Sequence, residues 1–435
     1  MKKVLGVLVT LLLLITLAAC GGSEDEDTSG DNGGEGTESD GPTEVTAWAW
    51  DPNFNIRALE LAEEAYDGET ELDLEIIENA QDDIVQRLNT GLSSGTTQGM
   101  PNIVLIEDYR AQSFLQSYPE AFYPLTDYIN PDDFASYKVE ATSFDGENYG
   151  LPFDSGVTGL YVRTDYLEEA GYTVEDVTDI TWSEYIEIGK DVKEATGYNM
   201  ITMDPNDFGL VRMMLQSAGS WYFEEDGSTP NLEGNPALRE AFEVHKAMME
   251  ADIVRLHSDW SQFVGGFNSG DVASVPTGNW ITPSVKAEES QAGNWAVVPQ
   301  PRLEVDGGTT ASNLGGSSWY VLNTDGKEAA AEFLANTFGS NEEFYTTLVE
   351  EIGALGTYTP GTQGEAFEAG DEFFDGQSII QDFSNWTEEI PPVNYGMHTY
   401  AIDDILVVEM QHYLDGRSLD EALSNAQDQA ETQLR

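Results

Sequence analysis

Residues 45–106 read VTAWAWDPNFNIRALELAEEAYDGETELDLEIIENAQDDIVQRLNTGLSSGTTQGMPNIVLI. Apolar or alternating runs typical of strands lie at 45–50, 72–77 and 102–106, and apolar residues at helical spacing lie at 57–66 and 82–92. Strands separated in this way by helices run parallel and are joined by right-handed crossovers. The stretch therefore predicts an α/β fold that begins with a parallel sheet.

Ligands of such sheets bind beyond the carboxyl ends of the strands. Trp50 ends the first strand and offers a flat face for stacking, and Asp51 and Asn53 follow it. Asp108 and Arg110 follow the third strand. Each group has an alternative role, because Asp-Pro-Asn is also turn chemistry and an acid after a strand also suits the dipole of a following helix.

Later segments carry clear helix and strand signals. Capping-box patterns at 181–184 and 418–421 predict helix starts, and so does Asn235 followed by proline. Strand-like runs lie at 272–275, 295–298 and 319–322. We expect Trp48 and Trp319, which lie inside strands, to be core residues, and His245 and His412, which lie in helical patterns beside acids, to be on the surface.

The charge of the chain excludes several classes of function. Its 435 residues include 80 Asp and Glu against 18 Lys and Arg, a formal net charge of −62. Nucleic-acid binding requires clustered basic residues, which this chain lacks, and a negative field repels anionic ligands. A neutral or cationic ligand is therefore favoured. The bias arises from scarce lysine, which indicates adaptation to a salty or alkaline habitat.

The first residues have the pattern of an export signal. Lys2 and Lys3 precede an apolar stretch at 4–17, and LAAC at 17–20 resembles the lipobox of bacterial lipoproteins. We expect a signal peptide at 1–19, a lipidated Cys20, and an acidic disordered tether over 20–41. The protein would then sit on the extracellular face of the cell membrane, held by its lipid anchor alone. A single Cys also excludes an intramolecular disulfide.

Several segments together resemble the family 1 extracellular solute-binding proteins, the sugar receptors of bacterial ABC importers. They are PNIVL at 101–105, YGLPFD at 149–154, DYLEEAG at 165–171, TWSEY at 181–185, FNSGDVA at 267–273, GNW at 278–280, Gly315-Gly316, AAAEFL at 329–334 and GRSLDEAL at 416–423. These matches run in family order over about 45–435. Within the family, 48–55 and 153–159 look most like the lactose-type receptors.

The resemblance implies an α/β, two-lobed periplasmic-binding-protein-like fold (type II), with three interlobe crossings and a ligand cleft between the lobes. We place the N-terminal lobe at 42–153 plus 299–338 and the C-terminal lobe at 154–298 plus 339–435. It also implies a monomer that captures a small neutral sugar, a disaccharide or oligosaccharide, and delivers it to the permease subunits of an ABC importer. No enzymatic activity and no cofactor are expected.

A sugar needs aromatic faces for its C–H surfaces and polar groups for its hydroxyl rim. The remaining candidates for those contacts are Asp154, Asp207, Trp221, Asn279, Trp280 and Gly316. By the resemblance Trp280 is the best stacking residue, and Asp154 lies at the first crossing. Alternative roles are lobe core for the tryptophans, a hinge hydrogen bond for Asp154 and a plain turn for Gly316.

Two other functions remain open. A cationic ligand such as a polyamine or betaine could be held by aromatic rings and carboxylates. A secreted glycoside hydrolase would need a pair of carboxylates about 5–10 Å apart, which a chain this acidic could supply by chance. The sequence contains no HExxH, Walker A or GxGxxG motif, so it shows no metal or phosphate chemistry.

Overall fold

The computed structural model describes residues 42–52 and 54–434. The predicted signal peptide, Cys20, the tether and Asn53 lie outside the described residues. The strands are β1 Thr43–Ala49, β2 Leu72–Glu78, β3 Ile103–Glu107, β4 Ser143–Phe144, β5 Glu147–Asn148, β6 Gly150–Pro152, β7 Thr158–Arg163, β8 Ile201–Met203, β9 Val254–Leu256, β10 Ser274–Gly278, β11 Trp295–Val298 and β12 Ser317–Val321.

The helices alternate with these strands at first and dominate later. They are α1 Asn55–Ala65, α2 Gln81–Ser93, α3 Asp108–Ser117, α4 Ser136–Thr142, α5 Thr164–Ala170, α6 Trp182–Thr196, α7 Gly209–Ser217, α8 Pro236–Glu250, α9 Trp260–Asn268, α10 Thr282–Lys286, α11 Lys327–Asn336, α12 Glu342–Ile352, α13 Glu365–Glu368, α14 Ile379–Thr387, α15 Thr399–Leu414 and α16 Leu419–Gln433. Among the described residues, no helix combines the length and apolar character needed to cross a membrane.

The first lobe is built on a five-stranded sheet with the order β2-β1-β3-β12-β6. The predicted parallel start of this sheet is confirmed, because β1 pairs in parallel with both β2 and β3. Strand β12 returns antiparallel between β3 and β6. Helices cover both faces of the sheet: α1, α11 and α12 pack on one, and α2 and α3 pack on the other.

The second lobe contains a three-stranded antiparallel sheet with the order β10-β7-β11. One face packs with α6, α7, α8, α15 and α16, and the other face packs with α9 and α14. The predicted capping box at Thr181 is confirmed: its hydroxyl accepts from the backbone N–H of Glu184, whose carboxylate accepts from the N–H of Thr181. At the start of α16, the hydroxyl of Ser418 accepts from the backbone N–H of Glu421 at 3.2 Å.

Three segments connect the lobes. The first, 153–157, joins β6 to β7, and the second, 313–316, leads into β12. Leu303 packs in the second-lobe core, whereas Phe344 and Tyr345 pack against the first sheet. The predicted lobe boundaries stay a prediction, and these contacts favour placing the second crossing near 313–317 and the third beyond 358.

Four residues were expected to be either buried or exposed, and three of these expectations are confirmed. Trp48 and Trp319 are buried, and His412 is exposed, as expected. His245 is not a surface residue: it is 4% exposed and belongs to the buried face of α8. Acidic neighbours in sequence suggested a solvated face, but α8 turns its acids outward and His245 inward.

Candidate functional site

A cleft of about 1260 Å³ lies between the lobes. Its first-lobe wall comes from the loop after β1, the end of β3 and the end of α12. Its second-lobe wall comes from the start of α9, the segment after β10, and the stretch from α13 to the start of α14. The crossings form its floor. The lining residues on which the site depends are Trp50, Asp51, Phe54, Glu107, Asp154, Trp260, Trp280, Lys286, Gly316, Ser317 and Asp371.

The loop after β1 presents Trp50 and Asp51 to the cleft, as predicted. The side-chain oxygen of Asn55 accepts hydrogen bonds from the backbone N–H groups of both residues, at 3.1 and 3.0 Å. Asn55 is the first residue of α1 and is buried. The start of this helix therefore holds the loop in place, and the carboxyl end of β1 faces the cleft.

The floor contains two further predicted residues, Asp154 and Gly316. Asp154 is 5% exposed, and its Oδ1 accepts from the backbone N–H and the hydroxyl of Ser317 at 2.8 and 2.6 Å. Gly316 has φ +83°, and an added Cβ would lie 3.0 Å from a carboxylate oxygen of Asp108. A side chain there would therefore be strained, and glycine lets the crossing pass close to the cleft.

Trp280 stands on the second-lobe wall. Its indole Nε1 donates to the backbone carbonyl of Leu314 in the second crossing at 2.8 Å. A Cβ at Gly278 would lie 2.1 Å from that Nε1, so only glycine lets the indole fold back over the end of β10. The glycine of the Gly-Asn-Trp pattern is therefore required sterically, because it lets Trp280 form one aromatic wall of the cleft.

A side chamber of about 330 Å³ adjoins the cleft and shares Glu107, Trp260, Trp280 and Gly315 with it. Asp207, another predicted residue, lines this chamber rather than the cleft. Its Oδ1 accepts from the N–H of Gly209 at 2.7 Å, at the start of α7.

Asp108 and Arg110 do not line the cleft. Asp108 is fully buried, where Lys138 donates to its Oδ2 at 2.5 Å and Ser318 donates to its Oδ1 at 2.9 Å. Burial raises the pKa of Asp108 to about 6, and the Lys138 ammonium acts in the opposite direction. The guanidinium of Arg110 lies over the ring of Tyr400, 4.1 Å from its centroid. The ligand contacts predicted for these two residues have no geometric support.

Trp221 and Asn279 are also placed in the interior. Trp221 is buried, donates from Nε1 to Thr399 at 3.0 Å, and stacks on Tyr109 at 5.4 Å. Asn279 is buried beside Trp280 and does not line the cleft. Glycine-flanked aromatics and amides look alike in sequence whether they face a ligand or seal a core, and only packing separates the two cases.

Several cleft residues were missed. Trp260 is 55% exposed, and its ring centroid lies 5.9 Å from that of Trp280. The sequence feature that could have identified Trp260 is Asp259, an N-cap residue. Its side chain accepts from the N–H of Gln262, and the helix that it caps begins with Trp260. Glu107, one residue before the predicted Asp108, lines both cavities and accepts from Tyr400 at 2.6 Å.

The cleft is strongly negative. Seven carboxylates line it (Asp51, Glu107, Asp154, Glu350, Glu351, Asp371 and Glu372) against the single ammonium of Lys286. That ammonium is paired with Asp371 at 2.6 Å. No group of three or more potential metal ligands occurs within 42–52 and 54–434.

Comparisons with known proteins agree with this geometry. The family model described as bacterial extracellular solute-binding protein matches residues 62–372. The lactose-binding protein of Rhizobium radiobacter is 45% identical over 394 residues, which are 90% of this chain and 93% of that protein. The arabinooligosaccharide-binding protein of Bacillus subtilis is 26% identical over 408 residues, 90% of each chain.

Solved structures share the fold at low sequence identity. The sugar-binding protein MalE from Xanthomonas citri superposes with a TM-score of 0.75 at 18% identity, over 90% of this chain and 97% of that one. An ABC transporter binding protein from B. animalis subsp. lactis Bl-04, in complex with beta-1,6-galactobiose, gives 0.69 at 20% identity, over 90% and 98%. The expected two-lobed architecture and the family resemblance are confirmed, and this chain belongs to the bacterial extracellular solute-binding proteins.

Proposed function

We propose that this protein is an extracellular receptor that binds a neutral disaccharide or short oligosaccharide and delivers it to the permease subunits of an ABC importer. Lactose is the first candidate, because the Rhizobium radiobacter relative that is 45% identical is a lactose-binding protein. The related arabinooligosaccharide-binding proteins support a carbohydrate ligand in a wider sense.

The observation that carries the proposal is the pairing of aromatic faces with acidic groups in one cleft. Trp280 and Trp260 form an aromatic wall, and Trp50, Asp51 and Asp154 line the same cleft. Indole faces pack on the C–H surfaces of sugar rings, and carboxylates accept hydrogen bonds from hydroxyl groups. These groups would hold a sugar without any bond being made or broken, so we propose a binding role and no catalysis.

The charge of the cleft supports an uncharged ligand. Seven carboxylates around one paired ammonium disfavour sugars that carry a carboxylate or a phosphate. The same lining favours a second candidate, a small organic cation held between indole rings and acids.

Isothermal titration calorimetry in about 0.1 M NaCl, where the Debye length is about 10 Å, separates these ligands. We expect lactose to bind and spermidine not to displace lactose. Binding of spermidine without lactose would favour the cationic alternative. No heat with lactose, galactobiose or arabino-oligosaccharides would refute the sugar receptor.

The cellular setting is proposed from the sequence. We propose that cleavage before Cys20 and its lipidation attach the protein to the outer face of the membrane, and that it acts as a monomer. Metabolic labelling with a fatty-acid analogue, compared between the native chain and Cys20→Ser, tests the anchor. Equal labelling of the two chains would contradict it.

A further inference from the structure

Lys138 is fully buried at the point where the first two interlobe crossings meet. Its ammonium, carried by α4, donates to Asp108 Oδ2 at 2.5 Å and to the backbone carbonyls of Asp154 and Ser317 at 3.0 and 2.7 Å. Asp154 belongs to the first crossing, and Ser317 begins β12 directly after the second. One ammonium thus binds both crossings.

Asp108 completes this arrangement from the carboxyl end of β3. Its other oxygen accepts from the hydroxyl of Ser318, and its backbone N–H donates to the carbonyl of Gly316 at 3.1 Å. A buried ammonium without acceptors is strongly unfavourable, and the Asp108 carboxylate and the two carbonyls supply those acceptors.

Ser317, directly after the second crossing, also sets the direction of the Asp154 carboxylate in the first. Ser317 donates from its backbone N–H and its hydroxyl to Oδ1 of Asp154, and the carbonyls of Ser317 and Asp154 both accept from Lys138. Asp154 lines the cleft, whereas Lys138 does not. A shift of either crossing would therefore turn the Asp154 carboxylate.

We propose that Lys138, paired with Asp108, is a positioning residue for ligand binding: it holds the two crossings in register so that Asp154 meets the ligand. Stability alone does not account for the pair, because apolar residues of similar volume commonly replace buried ion pairs without loss of stability. The proposal rests on the sugar receptor function, through the contact between Asp154 and the sugar.

A double-mutant cycle with lactose tests this role. Lys138→Met keeps most of the side-chain volume and removes the charge, and we expect it to weaken lactose binding at least tenfold in calorimetry. We expect Asp154→Asn to weaken binding as well, and we expect Lys138→Met to add less than a twofold change in the Asp154→Asn background. Lys190→Met, which breaks an exposed pair with Glu187 on α6, is the matched control and should bind as the native protein does.

The outcomes separate the two proposals. Native-like affinity in Lys138→Met, or an undiminished loss in the Asp154→Asn background, would overturn the positioning role while leaving the receptor function in place. If Lys138→Met fails to fold, Asp108→Asn enters the same cycle with the same expectations. If the native protein binds no sugar, the receptor function is refuted, and small-angle scattering of the ligand-free proteins tests the positioning role instead. An unchanged scattering profile in Lys138→Met rejects that role. An increased radius of gyration supports it.

Discussion

The position of the Trp280 indole depends on a glycine two residues earlier. The missing side chain at Gly278 leaves room for the indole, and the bond from its Nε1 to Leu314 ties the second-lobe wall to the second crossing. The aromatic wall is therefore connected to the segment that moves if the lobes close. A hinge closure of this kind is typical of periplasmic binding proteins as a class.

We expect Trp280→Ala to weaken lactose binding by about 2 kcal/mol, the loss typical of a buried aromatic anchor. Calorimetry with lactose measures this change. Tyr198→Ala, which removes an exposed aromatic that stacks on Tyr166 away from the cleft, is the control and should leave affinity unchanged. Equal effects of the two substitutions would argue against stacking on Trp280.

At the scale of the secondary-structure elements, helix caps explain why helix starts in the second lobe could be predicted from the sequence. Helix α6 begins at Trp182, as the capping-box pattern predicted, and ends before Gly197, a glycine with φ +81°. The two reciprocal bonds at Thr181 satisfy backbone donors that the helix itself cannot satisfy.

Removal of this cap has a predictable cost. We expect Thr181→Ala to lower the free energy of unfolding by about 1 kcal/mol, because the N–H of Glu184 loses its acceptor. Thr181→Ser retains the hydroxyl and should retain most of that stability. Urea denaturation of the three proteins measures the difference, and equal losses in both variants would assign the effect to the lost methyl group instead.

Helix α8 carries a titrating group in its buried face. Burial lowers the pKa of His245 to about 4 from an ordinary value of 6.5. The unfolded chain therefore takes up a proton at higher pH than the folded one, and the stability from this group is present above pH 6.5 and is lost as the pH falls toward 4. A shift of this size corresponds to about 3 kcal/mol.

We expect His245→Leu to remove that part of the acid sensitivity. Urea denaturation at pH 7 and pH 4 should show a smaller loss of unfolding free energy in the variant than in the native protein, by about 3 kcal/mol. The raised pKa of Asp108 acts in the opposite direction but is common to both proteins. Identical pH profiles for His245→Leu and the native protein would contradict the assignment to His245.

At the scale of the whole molecule, the net charge of −62 affects the stability of the folded state. Repulsion among so many acids opposes the compact state, and dissolved salt screens it. We expect the melting temperature to rise with NaCl, mostly between about 0.01 and 0.1 M, where the Debye length falls from about 30 to 10 Å. Differential scanning calorimetry follows this rise. A steady increase up to about 1 M would instead indicate a general salt effect on apolar burial.

Local patterns determined much of the architecture. The alternation of strands and helices at 45–106, the caps at Thr181 and Ser418, and the ordered family segments specified a parallel start, helix boundaries and a two-lobed receptor. Strands, helices and caps depend on residues that are close together in the sequence. The family resemblance depends on the order of segments along the chain, which a single sequence shows. Trp50 and Asp51 were candidates because they lie at and after the end of a strand, Asp154 because it lies at a crossing, Gly316 because glycine lets backbone approach a ligand, and Trp280 because of the family resemblance. All five line the cleft.

Only the tertiary structure decided which polar groups line the cleft and which are buried behind its surface. Asp108 and Glu107 are adjacent at the end of β3, yet one is buried against Lys138 and the other lines the cleft. Trp221 seals a core, whereas Trp260 stands exposed beside Trp280. The direction of each side chain is set by partners that lie far away in the chain, and the sequence pattern around a residue carries no record of those partners.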